Sequence, residues 1–398
     1  MFVCARIKRL FLLILFSFLS FSAFCKEGYE LLIDGKNAFP RIIECIQNSK
    51  KSIYINMFIW RDDSIGNQIA RECVAAADRG VKVTISKDTY GSICEHAEES
   101  GTSFFHKHLS SSEKIKINYL KKTYKNAITS DAKDSESSLY KKLMSHPNIQ
   151  VQDQTFKADH SKFYIIDDEI LILGGINIED KENGADMSGR IYNDYMLLLN
   201  GKAYVTDFNY YRQTGKNSEK NIYFGMNRKA AKKADNIFQM EQLYLDIINQ
   251  SQKELTIVMA YFSPLDNFVE AILASAKRGV NVRIVIPQSA NFQDDSNKKT
   301  MKTLLKKSDG KIKVYFSPKM VHTKLVANEK LVSFGSCNIT QKAFEQLDEL
   351  NVFITKEEKL YEQILLSIEE TIKKASQITD YKTIKFDSFT AFLEGFVV

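Results

Sequence analysis

Two short stretches of the chain carry a histidine and a lysine two places apart. One is "DHSKFYIIDD", with His160 and Lys162; the other is "VHTKLVANE", with His322 and Lys324. On an extended strand, residues i and i+2 point to one face, roughly 6.6 Å apart along the chain. Each pair therefore projects an imidazole and an ammonium group together. Two of each suit a phosphodiester. One neutral imidazole attacks phosphorus, and the other, protonated, donates to the leaving oxygen. The lysines neutralise the phosphoryl oxygens as charge builds. A turn, a second apolar strand and a glycine turn follow each stretch, "DDEILILGGINI" and "NEKLVSFGSCNI", putting Asn177 and Asn338 in matching places. A side-chain amide there donates to phosphate oxygens. Further along, "NDYMLLL" and "DELNVFI" align Asp194 with Glu349. A carboxylate accepting from one imidazole nitrogen fixes the tautomer and leaves the other nitrogen to act. A lone His-x-Lys is more often structural. Its recurrence with matching asparagines and acids points to one chemistry built from two halves.

The elements that must hold these residues also repeat. Ala77-Asp78-Arg79-Gly80-Val81-Lys82-Val83 matches Ala276-Lys277-Arg278-Gly279-Val280-Asn281-Val282. Around each copy run a helical pattern, a β-rich run (Ser52–Trp60; Glu254–Phe262), a second helical pattern and a second strand. Arg-Gly before a valine-rich run reads as a helix end feeding a buried strand. Alternating helix and strand predicts α/β halves with parallel strands and crossover helices. The expected organisation is a first half over residues 26–213, a linker over 214–237 and a second half over 238–398. Gly80 to His160 spans 80 residues and Gly279 to His322 spans 43. The first half thus carries an insert at about 94–146, polar and basic with Tyr119, Tyr124 and Tyr140 interspersed, either a solvated loop with a helix or a lid over the substrate. Residues 357–375 read as an amphipathic helix, and the tail "FTAFLEGFVV" is expected to pack Phe389, Phe392 and Phe396 onto the body, with contact to a membrane as the alternative.

With these residues in view, the chain resembles the phospholipase D superfamily, whose motif is His-x-Lys-x4-Asp followed by Gly-[Gly/Ser]-x-Asn. "HSKFYIIDDEILILGGIN" fits throughout; "HTKLVANEKLVSFGSCN" departs at Glu329, where the motif has aspartate. "AYFSP" at 260–264 is similar to the cardiolipin synthase branch. The resemblance implies two similar α/β halves, each a central mixed sheet flanked by helices, related by a pseudo-two-fold axis with the active site at their interface. It also implies a phosphohistidine intermediate, with His160 the more usual nucleophile, and no cofactor or obligatory metal. Asp167 and its counterpart Glu329 lie seven residues after their histidines, an odd offset. That puts them on the opposite face and about 23 Å along a regular strand, so they are expected to hold the turn rather than touch phosphate.

Composition bounds the partner. The 398-residue chain has a formal charge of +6, but Arg6, Lys8 and Arg9 belong to an acid-free leader. The remaining balance is weak for a dedicated nucleic-acid binder. The apolar run Leu10 to Cys25 is short for a spanning helix and suits a secretory signal, with small residues before a cut at Lys26. Residues 1–25 are therefore expected to be a signal peptide or an N-terminal anchor, with the body exported. Outside them, Cys45, Cys73, Cys94 and Cys337 show no CxxC or Cys/His metal spacing and read as single buried thiols. The expected substrate is a phospholipid, with water or an alcohol as acceptor, at a membrane surface and by a monomer. Two alternatives remain open: an exported nuclease, for which "NKKTMKTLLKK" (297–307) would track a backbone, and a non-catalytic lipid- or nucleic-acid-binding protein.

Overall fold

The computed structural model describes residues 28–98, 102–106, 108–122, 137–154 and 158–397; the expected leader lies outside them. Two large mixed sheets dominate. The first runs, in spatial order, Gly28–Ile33, Tyr195–Asn200, Ile170–Gly174, Lys162–Ile166, Ser52–Met57, Lys82–Asp88 and Ile149–Gln154. The second repeats the order with Ile222–Arg228, Glu349–Thr355, Leu331–Gly335, Lys324–Asn328, Glu254–Met259, Asn281–Pro287 and Lys313–Ser317. Short edge strands, Ile237–Phe238 and Ser376–Ile378, extend it at either side. In each sheet the last three strands of the shared order are mutually parallel, as crossover helices require, and the rest pair antiparallel.

The repeated Arg-Gly-Val has the same geometry in both halves. Gly80 and Gly279 take φ of 95° and 92°, where a side chain is costly. The following valine N–H groups reach back to Ala76 O and Ser275 O, closing the helices Ser64–Asp78 and Asp266–Lys277. The arginines reach sideways: Arg79 Nη2 donates to Ile46 O, and Arg278 Nη2 to Asn249 O and Ser251 O. Each guanidinium thus serves carbonyls at the end of the preceding helix in its own half. That double duty explains why the pattern recurs.

The strands are apolar on both faces. In Lys162–Ile166, Tyr164 and Ile166 face a core shared with the first half's helices, while Phe163 and Ile165 face a core shared with the second sheet. Leu325 and Ala327 oppose them from the second half. The result is a helix–sheet–sheet–helix stack, and the two inner faces weld the halves into one body. The expected mixed α/β architecture with its central interface holds.

Three expectations change. The stretch 214–237, read as a linker, contains Ile222–Arg228, which pairs in full with Glu349–Thr355. Its alternation, "IYFGMNR", was masked by charged flanks on both sides. Phe389 and Phe392 are not buried against the body as expected; they are 70% and 56% exposed, and the tail helix instead buries Ala391 and Glu394. None of the lysines at 298–307 lines the cleft described below; Lys298 pairs with Asp294, and Lys302 donates to Ile384 O. Within the insert, helix Ser111–Lys121 starts at a Ser110/Glu113 capping box and buries Ile117 and Leu120 beside helix Thr89–Ala97. Leu120 reaches the cleft, Tyr119 is exposed, Tyr140 packs on the first core, and Tyr124 lies outside the described residues.

Candidate active site

Each His-x-Lys strand starts at its lysine, and the residues leading into it belong structurally to the other half. Met320–Val321 pairs with Tyr192–Asn193, and His322 N donates to Asn193 O at 2.9 Å. Asp159 bridges Asp348, and His160 N donates to Asp348 O at 2.8 Å. The residues one step beyond these partners are Asp194 and Glu349. Both acids are therefore delivered across the interface. His322 Nδ1 lies 3.0 Å from Asp194 Oδ2, and His160 Nδ1 lies 3.1 Å from both oxygens of Glu349. The sequence aligned these acids and left their partners open; the structure crosses them.

The acids differ in length because their surroundings do. A Cβ on Gly175 would fall 2.3 Å from Asp194 Oδ2, so only glycine admits the carboxylate there. In the equivalent place Ser336 has a Cβ, and its hydroxyl donates to Glu349 Oε2. Lys162 and Lys324 are fully buried beneath the histidines, and each ammonium donates to the carbonyl of its own histidine. Asn177 and Asn338 line the cleft with both histidines. Asn338 Oδ1 accepts from Tyr261 N at 3.3 Å, while Asn177 Oδ1 is buried without a hydrogen bond. Phe58, Tyr261 and Lys181 also line this cleft beside the two histidines and the two asparagines.

Electrostatics separate the two histidines. Burial, then the charges of Lys162, Lys324 and His322, hold His160 well below the ordinary histidine value. For His322, burial and Lys324 press downward, but Glu182 and Asp194 outweigh them and raise it. Burial pushes Glu349 up to about 8 against the pull of Lys162. Burial and Lys324 bring Lys162 down to about 7. The two imidazoles are thus pushed apart, His160 towards its neutral form and His322 towards its protonated one.

Glu182 is the site residue that sequence reasoning missed. Its Oε1 lies 3.1 Å from His322 Nδ1, beside Asp194 Oδ2 at 3.0 Å, so Glu182 brings a second carboxylate to the same nitrogen. The signal was one of length: the interval Asn177 to Asp194 is six residues longer than Asn338 to Glu349, and the excess forms the 3-10 turn Asp180–Asn183. Phe58 was missed as well; its ring meets the His160 ring edge-to-face at 4.7 Å. Lys181 enters the cleft beside Glu98 and Glu179, at 2.7 and 3.4 Å, and Glu98 also holds Arg61. The ligand-capable atoms of Glu182, Asp194 and His322 lie within 4.8 Å of one another, the spacing of a cation site. The Lys324 ammonium, 3.9 Å from Asp194 Oδ2, already brings positive charge to that point.

The motif acids lie at the far end of their strands. Asp167 accepts from the N–H groups of Lys50, Lys51 and Ser52 at 2.7–2.9 Å, tying down the start of the neighbouring strand. Glu329 accepts from Gln252, Lys253 and Glu254 at 3.1–3.3 Å. Asp167 sits at φ 56°, a left-handed position that aspartate tolerates better than glutamate; Glu329 is not among the positive-φ residues. The glutamate therefore changes the tightness of a turn, and its carboxylate bonds the strand start far from the histidines.

Comparison with known proteins agrees with this geometry. The family described as "Cardiolipin synthase, PLD-like domain" matches residues 42–209 and 244–372. The cardiolipin synthase of Listeria welshimeri is 26% identical over 368 residues, covering 88% of this chain and 70% of that protein. That of Clostridium perfringens is 25% identical over 357 residues, covering 83% and 68%. Among solved structures, the phosphatidylserine synthase of Haemophilus influenzae superposes with a TM-score of 0.67 at 14% identity, covering 92% of this chain and 91% of that one. The polyphosphate kinase of Porphyromonas gingivalis gives 0.53 at 12% identity, covering 93% and 53%. With the family match spanning both halves and both His-x-Lys stretches, the chain belongs to the phospholipase D-like family of cardiolipin synthase type.

Proposed function

We propose that the protein is a phosphatidyltransferase that moves a phosphatidyl group from one phospholipid to water or an alcohol through a phosphohistidine on His160. The observation that carries this reading is the unequal environment of the two imidazoles in one cleft. Neutral His160 offers its Nε2 lone pair, with Nδ1–H directed at Glu349. Charged His322 holds a proton to give away. In the first step Nε2 of His160 bonds to phosphorus, the P–O bond to the head-group alcohol breaks, and that oxygen takes the proton of His322. In the second, the acceptor hydroxyl loses its proton to His322 as its oxygen bonds to phosphorus, and the bond to His160 breaks. The relatives named cardiolipin synthase support a phospholipid donor.

The test gives purified protein phosphatidylglycerol with a primary alcohol, and separately single-stranded DNA, both with a chelator. Phosphatidyl-alcohol or phosphatidic acid is the expected product. Cleavage of DNA without turnover of lipid would overturn the reading in favour of a nuclease. In His322→Ala, a substrate whose leaving group needs no proton should leave phosphate label on His160. Label on His322 in His160→Ala instead would reverse the roles.

A further inference from the structure

The helix Ser388–Val397 lies beyond the residues that the family model matches. It is built to show an apolar face. Asp387 caps it, accepting from Thr390 N at 2.6 Å. One face is fastened down: Ala391 is buried, Ser296 Oγ donates to Ala391 O, and Glu394 is fully buried. Glu394 Oε2 accepts from Ser296 N at 2.8 Å, in the first turn of helix Asp294–Lys307, where a carboxylate is favoured. Fixing that face turns Phe389 and Phe392, three residues apart, outward to 70% and 56% exposure. A tail that only needed a packing surface would put the phenylalanines inside and the glutamate outside; this one does the reverse.

The surroundings say what the face meets. Lys302 stands 5.6 Å from the Phe386 ring, just before the helix. Lys299, Lys382 and Lys385 are exposed on the segments that flank it. The same stretch carries Asp380 and Asp387, the latter used as the helix cap, so the four lysines leave the flanks net basic. Exposed phenylalanines on a basic border match a surface with an apolar interior and negative head groups. The helix is also next to the cleft: Asn291 and Phe292 line it and run directly into Gln293, whose amide donates to Glu394 O at 3.4 Å.

We infer that the Ser388–Val397 helix docks the protein on an anionic lipid surface, setting Phe389 and Phe392 among the acyl chains beside the cleft. This rests on the proposed function only in naming why a lipid surface is approached; the docking is measurable without turnover. The chain has a single tryptophan, Trp60, and it is fully buried. A Phe389→Trp variant of the full chain therefore carries a second, exposed reporter. On adding vesicles of phosphatidylcholine and phosphatidylglycerol its emission should shift to the blue. The shift should shrink with phosphatidylcholine alone and in high salt. Vesicle binding without any shift would overturn the inference, since another segment would then be the anchor. A shift that grows with protein concentration in the absence of lipid would also overturn it, in favour of a second copy of the chain. Phe389→Ser with Phe392→Ser should lower turnover on vesicles about tenfold or more while leaving turnover of a water-soluble phosphodiester unchanged. Equal loss on both substrates would mean the helix serves folding instead. If neither substrate turns over in the wild type, the proposed function fails while the fluorescence result stands.

Discussion

Replacing Glu182 with glutamine should move the alkaline limb of the pH–rate profile without moving the geometry. Glu182 Oε1 lies 3.1 Å from His322 Nδ1 while Asp194 Oδ2 holds the same nitrogen at 3.0 Å, so the isosteric substitution removes chiefly a charge. Two unit charges at that separation interact by about 5 kcal/mol at an effective dielectric near 20. That is a ceiling, because burial raises the pKa of Glu182 itself and so opposes its charged form. Each pH unit of movement corresponds to about 1.4 kcal/mol, so a loss well below the ceiling still displaces the limb measurably. The sign follows from the role. His322 must be protonated to give its proton to the leaving oxygen, and its pKa is raised partly by Glu182. Glu182→Gln lowers it, so kcat/KM falls off at lower pH than in the wild type. The assay is kcat/KM against pH, which reports the free protein, with a phospholipid whose head group is an alcohol. A parallel series uses a phosphodiester with a nitrophenol leaving group, which needs no proton; there the limb due to His322 should vanish in both proteins, while any limb from Lys162 persists. An alkaline limb that stays in place, or moves upward, refutes the assignment of Glu182 as the charge that keeps His322 protonated.

Four further outcomes are expected. His160→Ala and His322→Ala should each remove nearly all turnover, and the double variant should be little worse than either; more than about a tenth of wild-type activity in one of them would sink the shared mechanism. Glu349→Gln should lose about 10²-fold in kcat through loss of the His160 tautomer, while Glu329→Gln, at the far end of its strand, keeps most activity; the opposite ranking in steady-state assays would contradict the geometry. Gly175→Ala should impair catalysis and shift the alkaline limb downward, because its Cβ would fall 2.3 Å from Asp194 Oδ2 and displace the carboxylate from His322; an unchanged profile would show that the backbone yields instead. Asp167→Ala should cost about 2–3 kcal/mol in denaturant unfolding, from three lost charge-assisted bonds to backbone N–H groups; a loss of activity with stability intact would return that acid to the catalytic site.

The repeat was legible in the chain itself, together with the His-x-Lys stretch at the end of each copy. Arg79-Gly80-Val81 and Arg278-Gly279-Val280 were legible because a left-handed glycine after a helix is a local demand, met within a few residues of chain. The apolar runs "KFYII" and "KLVAN" announced strands for the same local reason, and the structure buries them on both faces. The odd offset of Asp167 and Glu329 sufficed to send them to the far end of their strands. Strand Ile222–Arg228 was not legible, because its pairing with Glu349–Thr355 lies more than a hundred residues away and charged flanks hide its alternation. The outward turn of Phe389 and Phe392 depended on Glu394 finding the first turn of another helix. The crossing of the acids depended on the interface itself. Asp194 serves His322, and Glu349 serves His160, only because each histidine's lead-in pairs with backbone of the opposite half. Periodicity says which way a side chain leaves its own strand; only tertiary packing decides which charges it then meets, and in this cleft those charges lower the pKa of one histidine and raise that of the other.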